Sequence, residues 1–343
     1  MRNMILLGAA LLCAVSAQAQ TTNYTVTNIV TNAQDAHLVN PWGLSHPPKN
    51  NNLRNEWWAA DEVTGFSTLY SAAGNILPLV ISIPPASGGG TGSPTGTANS
   101  TVAAIFAFVT LDGTISTWNA NELPTTTGPR CYQCHVSKST IVVNHSASGA
   151  SYQGVTIATN AASGTLAYYV ANANGGVEAY DASSFSALTL PAGAFTDAKV
   201  PAAYTPAGIQ ALGARIFVAY NRSAGGGTGY VDSYDTNGKL VMRLQNGWFN
   251  QPWGLVASPA NFGSFSNMLL VGNTGSGWIG AYSKTSGAFA GFLQSGGVDL
   301  TIPGLWGLGF GNGTSQSGPT DVLYFTAGGV QQTAGAFGAI AAN

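Results

Sequence analysis

The sharpest chemistry in the chain sits at Cys131-Tyr132-Gln133-Cys134-His135. A C-x-x-C pair followed at once by histidine is the arrangement that attaches a c-type haem. Each thiol forms a thioether to the macrocycle and the histidine ligates the iron. The same two cysteines could instead close a local disulfide that braces a long loop, with His135 incidental. Zinc fits less well, because the next histidine, His145, lies outside finger spacing. With iron on His135, the other axial position is open or is filled from the same side of the molecule. His46 follows the first strand of the first repeat and emerges on that side, so it is the candidate distal ligand. His145 follows a strand at residues 140–144, which carries it about 15 Å towards the opposite side.

A second set of residues is polar. Asp61, Thr110, Asn172, Asn221, Asn273 and Thr326 each end an apolar β run at an equivalent place. Converging on a central channel, six such groups would hold a polar ligand or a hard cation. Asn, Asp and Thr also start turns, which is the plainer explanation. Only Asp61 is a carboxylate, and calcium or magnesium sites recruit more charge. Other catalytic patterns are missing: there is no H-E-x-x-H, no G-x-S-x-G and no Walker loop. Glu56, Asp61 and Glu62 have no carboxylate that can be placed opposite them for glycoside chemistry.

The elements that must position these residues are β-strands. The chain has 343 residues with 45 glycines, and only 7% of its residues are charged. Long amphipathic helices need Glu, Lys, Arg and Leu that no stretch supplies. A net charge of −2 with no basic stripe argues against nucleic acid and against a polybasic membrane contact. Residues 1–19 read as an export signal, with Arg2, a short apolar run and Ala17-Gln18-Ala19 before the cut. That run is too short to span a bilayer, and no later segment is long and apolar enough. Leu11-Leu12 before Cys13 fits poorly with lipoprotein processing. Residues 20–343 are expected to form one exported domain, periplasmic or extracellular, with no membrane span.

A small-to-apolar step recurs six times. It reads Pro41-Trp42-Gly43-Leu44, Pro94-Thr95-Gly96-Thr97, Tyr152-Gln153-Gly154-Val155, Pro206-Ala207-Gly208-Ile209, Pro252-Trp253-Gly254-Leu255 and Leu305-Trp306-Gly307-Leu308. The glycines are 53, 58, 54, 46 and 53 positions apart, the period of a propeller blade. Each step opens a β run that ends in a polar residue, then a Gly turn, then another run. The fold expected is an all-β, six-bladed β-propeller with blades starting near 41, 94, 152, 206, 252 and 305. An insertion at 123–138 falls in the second blade. The last blade runs out after three strands, and residues 24–30 alternate as a strand with no blade of their own. Docked beside residues 336–340, they would close the ring and remove an exposed edge. The tryptophans of the Trp-Gly-Leu steps are expected to pack between blades rather than to form a sugar platform.

Several motifs spread over the mature chain carry a resemblance. They are Val39-Asn40-Pro41-Trp42-Gly43-Leu44, Gly65-Phe66-Ser67-Thr68-Leu69-Tyr70, Leu111-Asp112-Gly113-Thr114-Ile115-Ser116, Pro191-Ala192-Gly193-Ala194-Phe195-Thr196-Asp197 and the Trp-Gly-Leu steps at 253 and 306. On these the chain resembles an uncharacterised family of bacterial secreted propeller proteins, some with a PEP-CTERM tail; its blades are more distantly similar to NHL-type repeats. The resemblance implies the fold and export, and no activity. The chain has no sorting tail, and its second-blade insertion is longer than the family pattern. The expectation is therefore a non-catalytic exported propeller that binds a small ligand or a protein partner through one face. The alternatives are a redox protein with one haem c, and a metal-dependent hydrolase or lactonase.

Overall fold

The computed structural model describes residues 22–49, 55–100, 102, 105–119, 136–222, 226–245 and 247–343. In chain order, β1 (Tyr24–Thr31) comes first, ahead of any blade. Blade 1 holds β2 (Pro41–Ser45), β3 (Trp57–Asp61), β4 (Phe66–Tyr70) and β5 (Val80–Ser82). Blade 2 holds β6 (Pro94–Ser100), β7 (Ile105–Thr110), β8 (Thr114–Trp118) and β10 (Thr140–Asn144). The short β9 (Val136–Lys138) lies between the last two in sequence. Blade 3 holds β11 (Tyr152–Thr159), β12 (Leu166–Asn172) and β13 (Gly176–Asp181). Its fourth position is reduced to one bridge, Tyr180 to Ala187.

Blade 4 holds β14 (Tyr204–Leu212), β15 (Arg215–Arg222), β16 (Tyr230–Asp235) and β17 (Leu240–Arg243). Blade 5 holds β18 (Pro252–Ala257), β19 (Leu269–Asn273), β20 (Ile279–Tyr282) and β21 (Phe289–Phe292), followed by a hairpin of β22 (Gln294–Ser295) and β23 (Val298–Asp299). Blade 6 supplies only β24 (Leu305–Phe310), β25 (Val322–Ala327) and β26 (Ala336–Ala342) of its own. Strand β1 completes it, antiparallel to β26, with Val26 opposite Ile340. The first and last strands of the chain thus share one sheet, and the ring is closed.

The repeated glycine has a steric cause. Inner strands meet in a circuit: β2 on β6, β6 on β11, β11 on β14, β14 on β18, β18 on β24, and β24 back on β2. A Cβ on each repeat glycine would run into the next inner strand. From Gly43 it would lie 2.7 Å from Thr97 N, from Gly96 3.0 Å from Val155 N, and from Gly154 3.0 Å from the Ala207 oxygen. From Gly208 it would lie 1.9 Å from the Trp253 oxygen, from Gly254 2.4 Å from the Trp306 oxygen, and from Gly307 2.7 Å from the Trp42 oxygen. Backbones approach closely here because the axis is where six sheets converge, and only glycine fits. At the same step every inner strand shifts register against its neighbour, as between Pro41 and Leu44 or Pro252 and Leu255. Such a bulge bends the inner strand around the axis.

Away from the axis, stability comes from the seams between blades. Each of the six seams holds its own buried apolar cluster. Trp58, Phe106 and Trp118 fill the seam of blades 1 and 2, and Tyr152, Tyr168 and Tyr180 that of blades 2 and 3. Tyr169 and Tyr234 lie between blades 3 and 4, and Phe217 and Tyr282 between blades 4 and 5. Tyr24 and Phe325 serve blades 5 and 6, and Trp57 and Phe337 serve blades 6 and 1. An aromatic residue recurs at the end of the third strand as Tyr70, Trp118, Tyr180, Tyr234 and Tyr282, where it buries the most area per residue.

One element was not foreseen. Strand β9 leaves blade 2 and pairs in parallel with β5 of blade 1, making that sheet five-stranded. Ser137 Oγ accepts from the Trp118 indole at 2.8 Å, and the amide of Ser139 donates to the Ser82 oxygen at 3.0 Å. The segment straps the first two blades together. The residues of the Cys131-Cys134-His135 motif lie outside the described residues, so the haem expectation rests on the motif alone.

Candidate ligand-binding face

Of the residues before the repeat glycines, Trp42, Gln153, Ala207, Trp253 and Trp306 line one space at the axis, whereas Thr95 donates to the Tyr152 oxygen. The three indoles, from the neighbouring blades 5, 6 and 1, pack on one another at the axis rather than in the outer seams. They meet one another across the mouth of the channel, with Ala207 beside them. Trp42 and Trp306 stack at 3.8 Å between ring centroids, and Trp253 stands edge-on to both at 6.4 and 5.8 Å. The Trp253 indole donates across the axis to the Gln153 oxygen, and the Trp306 indole to Asn40 Oδ1. Together they plug the channel.

Above the plug is a basin of about 380 Å³ walled by Ser151, Gln153, Asn174, Thr205, Asn221, Arg222, Gln251 and Gln332. Below it the channel narrows to about 30 Å³ between the repeat glycines and an apolar ring that includes Leu44, Val155, Ile209, Leu255 and Leu308. It reopens on the other face as a mouth of about 360 Å³ lined by His46, Trp57, Thr97, Gln210 and Phe310.

Two features mark the basin as a built site. The Trp42 indole nitrogen and Asn221 Oδ1 are buried without a hydrogen-bond partner, a condition that costs about 1–3 kcal/mol for each group. In addition, Gln251 and Gln332 hold left-handed backbones, each with φ 56°. Non-glycine residues avoid that region. For Gln251 it is doubly unfavourable because proline follows. The conformation is held by the Thr274 amide, which donates to the Gln251 oxygen at 3.0 Å. Strain of this kind collects at ligand clamps.

Of the six polar strand ends, Asn221 is the one that lines the basin. The others are buried, and their side chains are engaged within the fold. Thr326 Oγ1 accepts from the Gly307 amide and donates to the Trp42 oxygen, joining blade 6 to blade 1. Asn273 accepts from the Asn250 amide. Asn172 accepts from the Ser151 and Asn174 amides and donates to Glu178. Thr110 donates to Asp112 and accepts from the Thr114 amide.

Asp61 has no exposed surface; Oδ2 accepts from Thr68, and Oδ1 has no partner. Burial pushes its carboxyl well above the usual range. Its contribution to stability is therefore complete below the ordinary carboxyl pKa and is lost as pH rises from there towards the raised value. Asp61→Asn is expected to melt about 2–4 °C above wild type at pH 7, with the two converging near pH 4. Melting curves across that range check it. A variant less stable at pH 7 would show that Asp61 is charged in the fold.

Sequence reasoning missed two networks just outside the basin. In blade 3, Glu178 accepts from Tyr152 at 2.8 Å, from Asn172 at 2.6 Å and from Tyr180. Burial works against its charge, but these hydrogen bonds outweigh it and hold the carboxyl below the usual range. Burial, with the carboxylate nearby, keeps both phenols firmly protonated. Nδ1 of His145 lies 3.1 Å from each phenol oxygen and 3.5 Å from Glu178 Oε2. In blade 4, Arg243 pairs with Asp197 and Asp232, and Tyr234 and Tyr220 continue the chain. The only sequence signal is a repeated acid-x-Tyr in the third strand, Glu178-Ala179-Tyr180 and Asp232-Ser233-Tyr234. His46 lies at the opposite mouth, with Nδ1 2.8 Å from the Pro47 oxygen and Nε2 3.0 Å from the Phe310 oxygen. Both ring nitrogens face carbonyl oxygens of the chain.

Circuit, seams and closing strand define a six-bladed β-propeller, and comparison with known proteins agrees. The chain is similar to a solved glucose dehydrogenase, with TM-score 0.58 and 11% identity over 93% of this chain and 100% of that one. It is also similar to a structural genomics protein of unknown function from Bacteroides thetaiotaomicron, with TM-score 0.60 and 11% identity over 94% and 76%. At such identities the likeness shows the fold alone. No family model matches. In sequence, two uncharacterised proteins of Acanthamoeba polyphaga mimivirus are each 26% identical. One match spans 313 residues, 83% of this chain and 72% of that protein; the other spans 317 residues, 83% and 77%. These relatives are viral and give no support to a bacterial secreted family or to its PEP-CTERM members.

Proposed function

We propose that the chain is an exported binding protein that holds a small polar ligand in the basin above the indole plug, without transforming it. The observation that carries this reading is the basin itself: a space with a closed floor, walled by amides, hydroxyls and one guanidinium, and built on strained and unsatisfied residues. Apolar floors with a few convergent polar groups are where small molecules bind. Export is supported by the composition of residues 1–19.

The repeat supplies its own test. Ala207 stands in blade 4 where blades 1, 5 and 6 have tryptophan, and it lines the basin. Ala207→Trp would add a fourth indole to the plug and fill the space above it. Ligands that raise the melting temperature of wild type, found by thermal-shift screening of polar metabolites, are expected to lose their effect on this variant while its own melting stays cooperative. Ligands that stabilise both proteins equally would place binding elsewhere and end the proposal.

A further inference from the structure

We infer that the ligand of this basin is a saccharide, a polyhydroxylated ring of one or two sugar units. The inference rests on reading the basin as a ligand site. A pyranose has apolar C–H faces and a rim of hydroxyls, each of which both donates and accepts. The basin offers the counterpart of each. Its floor is the indole cluster of Trp42, Trp253 and Trp306, an apolar surface suited to C–H faces. Its wall is polar, with Ser151, Gln153, Asn174, Thr205 and Asn221 contributing amides and hydroxyls that both donate and accept. Gln251 and Gln332 set two more amides at the rim on left-handed backbones, and a primary amide carries donor and acceptor side by side.

Charge narrows the choice. Among the described lining residues there is no carboxylate, and Arg222 is the one cation. A metal ion would lack charged ligands. An amino acid would bring an ammonium with no acid to meet it, and a phosphate would meet a single guanidinium. A neutral sugar or a sugar acid fits this wall. Size agrees: at interior packing density a space of this volume encloses about 280 Å³ of ligand, close to a disaccharide, and a monosaccharide leaves room for water.

The test is isothermal titration of the mature protein with D-glucose, D-galactose, N-acetyl-D-glucosamine, maltose and D-glucuronate. L-glutamate, L-lysine, citrate and inorganic phosphate form the counter-panel. At least one sugar is expected to saturate. Gln251→Gly relieves the backbone strain while deleting the amide, so its melting temperature should stay level or rise while sugar affinity falls about tenfold. Gln251→Asn, which keeps an amide and tolerates the left-handed region, should recover part of the loss. Arg222→Ala separates the sources: a loss confined to glucuronate assigns a sugar acid, and no loss assigns a neutral sugar. Saturation by the counter-panel alone would overturn the saccharide and leave the basin standing. Sugar binding undiminished in both Gln251→Gly and Ala207→Trp would remove the site from the basin. No binding from either panel would sink both readings.

Discussion

Gly208→Ala is expected to abolish stable folding, with a loss above about 4 kcal/mol. The added methyl would sit 1.9 Å from the Trp253 oxygen, 2.6 Å from its carbonyl carbon and 2.8 Å from its Cα. All three are backbone atoms, so no side chain can swing aside. Nor can the neighbouring strand retreat, because β18 already rests on β24 and the ring is closed. The control is Gly164→Ala, where φ is 70° and no atom lies within 4 Å; only the left-handed backbone resists, and about 1 kcal/mol should be lost. Urea unfolding of the three proteins decides. Equal, small losses at both sites would mean that the inner strands are not in contact as described.

The second large effect concerns ring closure. Removing residues through Thr31 deletes β1 and strips the whole length of β26 of its outer partner, leaving only β25 beside it. It also removes Tyr24 and Val30, both wholly buried, and the hydrogen bond from the Tyr24 hydroxyl to the Phe262 oxygen at 2.9 Å. An unpaired, apolar edge strand pairs with other chains. The truncated protein is expected to aggregate or to melt more than about 10 °C below the mature chain. Tyr24→Ala in the full chain isolates the packing share, with a loss of about 3–5 kcal/mol and no aggregation. A truncation that melts like the mature chain would show that blade 6 is stable with three strands.

The architecture could be read from the sequence because its causes are local and repeated. A glycine forced by close approach recurs at every blade, and a count of strands leaves residues 24–30 over for the last sheet. The polar strand ends were also legible as positions. What they bond was not, because Thr326 reaches a carbonyl of another blade, and the upward push on the Asp61 carboxyl comes from burial. The indoles do pack between neighbouring blades, but at the axis, where three are large enough to meet and also line the basin. The His145–Glu178 network joins residues of different blades and has no spacing to find. Strand β9 is three residues long and pairs outside its own blade, so no period announces it. His46 was placed by counting strands, but its carbonyl partners lie where a sequence shows nothing.

The stacked indoles also decide how anything held in the basin comes and goes. Trp42, Trp253 and Trp306 stop the axis, and the space behind them is only about 30 Å³. Among the described residues, Gln251 and Gln332 line the basin on its own side of the stopper. Any second macromolecule that covers that side slows loading and unloading alike, and one that arrives after loading turns the basin into a sealed compartment. The opposite mouth, on the far side of the stopper, is separated from the basin by the indoles.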